Sequence, residues 1–430
     1  MPNATRRTSR AIALATLLAA SPLGAQTVAI TGATIHPVSG PRIENGTIVI
    51  TNGKIAAVGA NVAVPAGAQR IDAAGKVVTP GLINSGTQLG LVDIGANGDT
   101  RDVNARGRDQ IAAAFTIWEG LNPANVLIPP ARADGITSVV VAPGNGLIAG
   151  QAAFVDLVGT TVTEMVRKAP VGMVAQVGSA AGAGVGARGE LLLKLRELLG
   201  DARDYRRRRA QFESNQTRTY LASRADLEAL QPVLAGTEPL IVQADRASDI
   251  QAVLRLGREF GLRLVIAGGA EAWEVAQDLA AAKVPVLTGA MNNIPDSFAS
   301  LGQRQENAGL LAKAGVNVAL VGNAGGGDEE LFNVRNVRYE AGNAVSYGMA
   351  WEQALRAVTL TPAEIFGVAD RVGALKAGMD ANLVVWSGDP FEFATRAEHV
   401  FIRGVEHSEP TRQDLLIQRY RTVPPSYYRP

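Results

Sequence analysis

The chain has 430 residues, 47% of them hydrophobic, and its 41 lysines and arginines against 40 aspartates and glutamates give a net charge of +1. This balance gives no electrostatic basis for binding nucleic acid or an anionic membrane surface, so we expect neither partner. The chain has no cysteine and only three histidines, so disulfides are excluded and nitrogen or sulfur ligands for a metal are scarce.

The first 25 residues have the pattern of a secretory signal peptide. Three arginines within residues 6–10 precede an apolar run over residues 11–20, and small residues lead up to Ala25. The run is too short to span a bilayer. We expect cleavage after Ala25, a periplasmic or secreted protein, and no membrane insertion; the alternative is an N-terminal helix that is retained.

Short strands separated by Gly, Pro and Asn turns are predicted between the signal segment and residue 79. They cover residues 27–34, 46–51, 54–58, 70–72 and 76–78. None is long enough to bury an apolar face alone, so this region predicts a small sheet that needs further strands.

The middle of the chain alternates apolar runs with amphipathic helical patterns, for example the helices predicted over residues 248–260 and 270–282. The apolar runs are Ser138–Ala142, Leu240–Val242, Arg263–Ile266, Val284–Leu287 and Val316–Leu320. Near-continuous apolar strands separated by helices indicate parallel strands covered on both faces, and a (β/α)8 barrel closes such a sheet. Residues 191–230 predict a charged helical insertion with a solvated face, because acidic residues interleave its arginines.

Two sequence phrases resemble the amidohydrolase superfamily, in its imidazolonepropionase-like, metal-dependent branch. Thr79–Gly90 is similar to the family signature in which Pro-Gly-Leu-Ile-Asp leads into a His-x-His pair, and Gly373–Trp386 is similar to a C-terminal family phrase. The resemblance covers about residues 28–408. It implies an α/β fold, a (β/α)8 TIM-type barrel over residues 80–369 with a β-sandwich built from residues 26–79 and 370–410, and a tail over residues 411–430.

The resemblance also implies metal ligands and a catalytic base at the carboxyl ends of the barrel strands, and this chain departs from the family there. The residues that stand at these positions are Gly86, Gln88, Gln176, Gln243, Asp245, Gly268 and Asn323. Hydrolysis in the family needs a divalent ion, zinc or another metal, that lowers the pKa of bound water and polarises the carbonyl. Amides and glycines supply neither a metal ligand set nor a base, so we expect no cofactor, no bound metal and no catalytic residue.

The chain has other candidates for a replacement site. Acidic residues at 93, 99, 102, 109 and 328–330 lie on loops expected at the barrel mouth and would suit calcium or magnesium, although interleaved arginines favour ion pairing. The serines at 85 and 179 have no histidine to act as a base. Structural roles are expected for His36, His399 and His407.

The residue chemistry predicts a pseudoenzyme of the periplasm that binds a small polar ligand or assembles with a catalytically competent relative or with itself. The family resemblance supports the alternative, an active divergent hydrolase of C–N bonds in a peptide-like or cyclic amide substrate. Fold alone does not decide between them.

Overall fold

The computed structural model describes residues 27–421 apart from 96, 106, 108–109, 179–185, 292–293, 296, 323–332 and 409. The predicted signal peptide, Asn323 and the acidic positions 109 and 328–330 lie outside the described residues. The described chain forms two sheets, one built from both chain ends and one curved into a barrel.

The first sheet joins strands from the two chain ends, which gives each set of short strands the partners it lacks. Its strands are β1 (Val28–Ile35), β2 (Ile43–Thr51), β3 (Lys54–Gly59), β4 (Gln69–Asp72), β5 (Val77–Pro80), β14 (Leu383–Trp386), β15 (Ala397–Ile402) and β16 (Val405–His407). β5 pairs antiparallel with β14 and parallel with β1. Side chains from both ends, among them Ile35, Val78 and Phe401, fill one apolar core.

The second sheet is the barrel, which confirms the predicted fold class. Its strands are β6 (Leu82–Thr87), β7 (Ile136–Val141), β8 (Ile148–Asp156), β9 (Val166–Gln176), β10 (Leu240–Ala244), β11 (Leu264–Gly268), β12 (Val286–Thr288) and β13 (Val318–Leu320). Hydrogen bonds connect them in sequence order from β6 to β13. β13 lies beside β6, so the barrel is nearly closed.

One strand departs from the all-parallel arrangement of a (β/α)8 barrel. β8 runs antiparallel to both β7 and β9. Only residues 142–147 separate β7 from β8, which is too short for the crossover that a parallel strand requires. The chain therefore returns as a hairpin at this point.

Helices lie between the strands from β6 to β14, and one more follows β16. They are α1 (Ile128–Ala133), α2 (Val162–Met165), α3 (Arg188–Arg207), α4 (Arg209–Glu213), α5 (Arg224–Ala229), α6 (Gln231–Leu234), α7 (Ala247–Phe260), α8 (Ala276–Ala281), α9 (Asn307–Lys313), α10 (Val337–Ser346), α11 (Trp351–Ala357), α12 (Leu360–Ile365) and α13 (Arg412–Tyr420). A 3-10 turn over Ala272–Val275 precedes α8, so the helix predicted over residues 270–282 is shorter and split. In the part of the chain that the structure describes, no helix has the length and apolar character needed to cross a membrane.

A group of charges joins the two sheets, and we call it the junction cluster: Asp156, Arg167, Arg371, Asp380 and Arg403. Asp156, Arg167 and Asp380 are buried, whereas Arg371 and Arg403 are partly exposed. Asp156 is fully buried, and its Oδ2 accepts hydrogen bonds from Arg167 Nε at 2.9 Å and from Arg403 Nε at 2.7 Å. Arg167 Nη1 also lies 2.8 Å from Asp380 Oδ2. Two barrel residues on β8 and β9 are thereby tied to residues of the sheet.

Candidate functional site

A cavity of about 500 Å³ opens at the carboxyl ends of the barrel strands. Six of the seven predicted site residues line it, namely Gly86, Gln88, Gln176, Gln243, Asp245 and Gly268. They follow or end β6, β9, β10 and β11, and because parallel strands end at one edge of the barrel their side chains meet there. The seventh, Asn323, lies outside the described residues.

Two of the amides on this wall retain their full hydrogen-bonding capacity. Gln88 and Gln243 are half-buried, and neither side chain bonds to another residue within the described ranges. Gln176 differs, because its Nε2 donates to the Gly144 carbonyl oxygen at 3.1 Å. An unpaired amide offers two N–H donors and one carbonyl acceptor to a ligand.

The two glycines at predicted ligand positions have different surroundings. A Cβ at Gly86 would find its nearest neighbour, Val321 Cγ1, at 3.7 Å, which is an ordinary contact. Gly268 has φ +84°, and a Cβ there would overlap Asp245 Oδ1 and Gln243 Nε2. The absence of a side chain at Gly268 therefore lets those two side chains approach its backbone. They fill the space that a side chain at this position would need.

Asp245 is the one carboxylate among the predicted site residues. Its Oδ1 accepts a hydrogen bond from Ala270 N at 3.3 Å, and its backbone oxygen accepts one from Glu271 N at 2.8 Å. These bonds fix the turn that follows β11. The carboxylate thus has a structural role beside any contact with a ligand.

The sequence did not single out Glu340, a buried carboxylate on α10 that reaches the cavity wall. Its Oε2 accepts hydrogen bonds from Ala290 N at 2.5 Å and Met291 N at 2.8 Å, which anchors the loop after β12. The position follows no strand and belongs to no motif. Only the packing of α10 against that loop reveals it.

Polar residues on two rim loops also line the cavity and were missed. They are Arg101 and Asn104 from the loop after β6, and Ser300, Gln303, Arg304 and Asn307 from the segment between β12 and α9. The amino-acid composition of these loops did not mark them as part of the site, since arginine and amide side chains are common in surface loops.

The donor set does not fit the divalent metal that the family resemblance implies. Two positions have no side chain, three carry amides, and the single carboxylate is already bonded to a backbone N–H. Across the described parts of the chain no three His, Cys, Asp or Glu residues come together as a metal-binding group. A tetrahedral or five-coordinate transition-metal site needs more nitrogen, sulfur or carboxylate ligands than this wall provides.

Of the alternative acidic residues on the first loop, the three that the structure describes, Asp93, Asp99 and Asp102, are not among the residues that line the cavity. Asp93 accepts hydrogen bonds from Asn125 Nδ2 at 2.7 Å and Asn122 Nδ2 at 3.3 Å, so it braces its own loop. Asp99 and Asp102 lie on the same loop and are likewise absent from the described cavity wall. These three carboxylates therefore give no support to a calcium or magnesium site at the mouth.

The three histidines lie in or beside the sheet. The ring of His36 packs against Trp351 with centroids 4.4 Å apart, and burial, followed by the charge of Arg42, lowers its pKa. His399 Nδ1 lies 2.6 Å from Glu406 Oε1, and His407 Nδ1 lies 3.2 Å from Arg132 Nη1. All three contacts are away from the barrel cavity.

A barrel with its cavity at the carboxyl edge, joined to a sheet from both chain ends, is a scaffold of the TIM-barrel class. Residues 201–407 match the sequence model of the Amidohydrolase family. The crystal structure of an amidohydrolase from Thermotoga maritima MSB8 is similar, with a TM-score of 0.80 and 28% identity over 89% of this chain and 100% of that chain. Just under half of the chain thus matches the Amidohydrolase family model, and nearly the whole chain is similar in structure to an amidohydrolase.

Two further similarities are narrower. A segment is 38% identical over 77 residues to the amidohydrolase tasK of Hapsidospora irregularis, which is 18% of this chain and only 8% of that protein. A structure of molinate hydrolase has a TM-score of 0.55 at 18% identity, over 90% of this chain and 95% of that one, and shows the fold alone.

Proposed function

We propose that this amidohydrolase-family protein binds a small polar ligand at the barrel mouth and does not carry out metal-dependent hydrolysis. The observation that supports it most is the cavity wall, where unpaired amides at Gln88 and Gln243 stand at positions where the family resemblance implies imidazoles. Amides orient a ligand through hydrogen bonds but neither hold a transition metal nor take a proton from water.

The proposal extends to location and partners. The N-terminal pattern supports export from the cytoplasm with a mature chain that begins at Gln26, and N-terminal sequencing of protein from the native host tests it.

A catalytically competent relative or a second copy is the proposed assembly partner. Co-purification from that host, followed by mass measurement of the intact complex, tests this part; a strictly monomeric protein contradicts it.

An active hydrolase is the second candidate. It is favoured by the similarity to the Thermotoga maritima amidohydrolase, which extends over nearly the whole chain. Its substrate would contain a C–N bond in a peptide-like or cyclic amide. The two candidate functions differ in one measurable respect. Only an active hydrolase would turn over substrate in the presence of a divalent metal and lose that activity when the metal is removed.

The test combines metal analysis with turnover. We expect less than about one-tenth of a zinc or manganese ion per chain after gentle dialysis. We also expect no hydrolysis of N-acyl amino acids, dipeptides or cyclic amides, with or without added zinc or manganese. Stoichiometric metal together with hydrolysis that a chelator abolishes would show that the chain is an active enzyme.

A further inference from the structure

The cavity rim carries a cation with unused hydrogen-bonding capacity. Arg304 donates from Nε to Glu306 Oε2 at 3.1 Å, and within the described ranges its Nη atoms have no further partner. The side chain is 40% exposed and reaches the cavity wall. The terminal edge of the guanidinium is therefore available to a ligand in the cavity.

The rim segment that carries Arg304, residues 302–307, is held in place by contacts with Glu271 and Trp273. The guanidinium lies over the Trp273 ring, 4.9 Å from its centroid, and Trp273 Nε1 donates to the Gly302 oxygen at 2.9 Å. Asn307 Oδ1 accepts from Trp273 N at 3.0 Å, and Glu271 Oε1 accepts from Gly302 N at 3.0 Å. Because these contacts already order the segment, less conformational entropy of the Arg304 side chain is lost when a ligand binds to it.

The acidic groups on the same wall are already stabilised by backbone donors. Asp245 accepts from Ala270 N, and Glu340 accepts from two N–H groups of the loop after β12. Neither carboxylate depends on a ligand cation for compensation. Arg101 also lines the wall, but its Nη1 donates to the Gly95 oxygen at 2.6 Å. The wall therefore offers the guanidinium edge of Arg304 for an anion, and two unpaired amides, at Gln88 and Gln243, for uncharged polar groups.

We propose that the ligand is a small carboxylate that also carries amide or hydroxyl groups. Its carboxylate binds the Nη atoms of Arg304, because the planar guanidinium matches a carboxylate in a two-bond geometry. Its polar body bonds to Gln88 and Gln243. A phosphate dianion fits less well, since the guanidinium edge of Arg304 compensates only part of its charge. This inference rests on the proposed binding function.

Matched pairs of ligands test the carboxylate. Titration calorimetry of the mature full-length protein compares N-acetylglycine, N-acetyl-L-alanine and N-acetyl-L-glutamine with their carboxamides, up to about 10 mM ligand. The variant is Arg304→Gln. Its control is Arg196→Gln, because Arg196 is also about two-fifths exposed, at 41%, and also donates from Nε to a glutamate, Glu259, at 2.8 Å. Inorganic phosphate is titrated in parallel.

We expect at least one acid to bind the wild type about tenfold more tightly than its carboxamide. Arg304→Gln should reduce that preference to less than about twofold with unchanged melting temperature, while Arg196→Gln retains it. Equal binding of acid and carboxamide, tighter binding of phosphate, or an unchanged preference in Arg304→Gln overturns the assignment and leaves the binding function standing. If neither series binds, the proposed binding function is itself contradicted.

Discussion

At the scale of single residues, Gly86 and Gly268 look alike in the sequence but differ in what they tolerate. We predict that Gly86→His costs less than about 1 kcal/mol, because a Cβ there meets only an ordinary contact. Gly268→His should cost about 2–4 kcal/mol, since a positive φ and overlap with Asp245 and Gln243 act together. Urea unfolding of both variants measures the difference.

The same comparison bears on restoring the family's metal site. Histidines at 86, 88 and 243 with an aspartate at 323 should fold, whereas adding histidine at 268 should destabilise the protein before it adds a ligand. Equal stabilities for Gly86→His and Gly268→His would show that the turn after β11 adapts easily, and zinc titration of the restored variants would then report affinity directly.

Glu238 is a buried carboxyl at the amino end of β10, at the opposite end of that strand from the cavity. Its side chain is 6% exposed, its Oε1 has no hydrogen-bond partner among the described groups, and burial raises its pKa from 4.5 to about 7. Between those two values the folded protein keeps a proton that the unfolded chain releases. This group therefore lowers the free energy of unfolding as pH rises through that window.

We predict that Glu238→Gln removes this pH dependence. The variant should exceed the wild type in free energy of unfolding by up to about 3 kcal/mol at about pH 8, and by less than about 1 kcal/mol at about pH 5. Denaturant unfolding at both pH values measures it. A constant difference between the two proteins would show that Glu238 ionises with an ordinary pKa.

At the scale of elements, the junction cluster holds the antiparallel pair β8 and β9 against the first sheet. Burial alone would raise the pKa of Asp380, but hydrogen bonds and charge from Arg167 and Arg371 outweigh burial and lower it. The contribution of Asp380 to stability is therefore present above the usual carboxyl pKa and is lost as pH falls through the lowered folded-state value.

We predict that Asp156→Asn costs about 2–4 kcal/mol, because it removes a counter-charge from the buried Arg167 and from Arg403, which is 35% exposed and therefore partly screened by water. The control is Glu213→Gln, which removes an exposed ion pair with Arg209 and should change stability by less than about 0.5 kcal/mol. Chemical denaturation compares the two. If both variants lose less than about 0.5 kcal/mol in free energy of unfolding, water reaches the junction and screens its charges.

The elements differ in how far the sequence could predict them. Apolar runs such as Leu240–Val242 predicted barrel strands because burial on both faces demands them. The segment Ile148–Asp156 was missed, since its Ala and Gly content gives little strand propensity. The family resemblance predicted the site positions of Gln88 and Gln243. Glu340 and Arg304 reach the cavity through contacts between elements distant in sequence, which no local pattern reports.

At the scale of the whole molecule, the two chain ends depend on each other. β5 is hydrogen-bonded to β14, and Leu383, Val385 and Phe401 share the sheet core with N-terminal residues such as Val78. Trp386 is fully buried and donates from Nε1 to Thr79 Oγ1 at 2.9 Å, directly before the chain enters the barrel. Loss of the C-terminal strands would therefore expose apolar surface on the first sheet and at its junction with the barrel.

We predict that a chain ending at Asp370 has a lower melting temperature and binds more of an apolar fluorescent dye than the full mature chain, or fails to accumulate as soluble protein. The matched control ends at Pro410 and removes only the described helix α13 and the residues after it; because the side chains of α13 are exposed, it should melt within about 2 °C of the full chain. If the chain ending at Asp370 melts like that control, the two ends do not share a core on which the barrel depends.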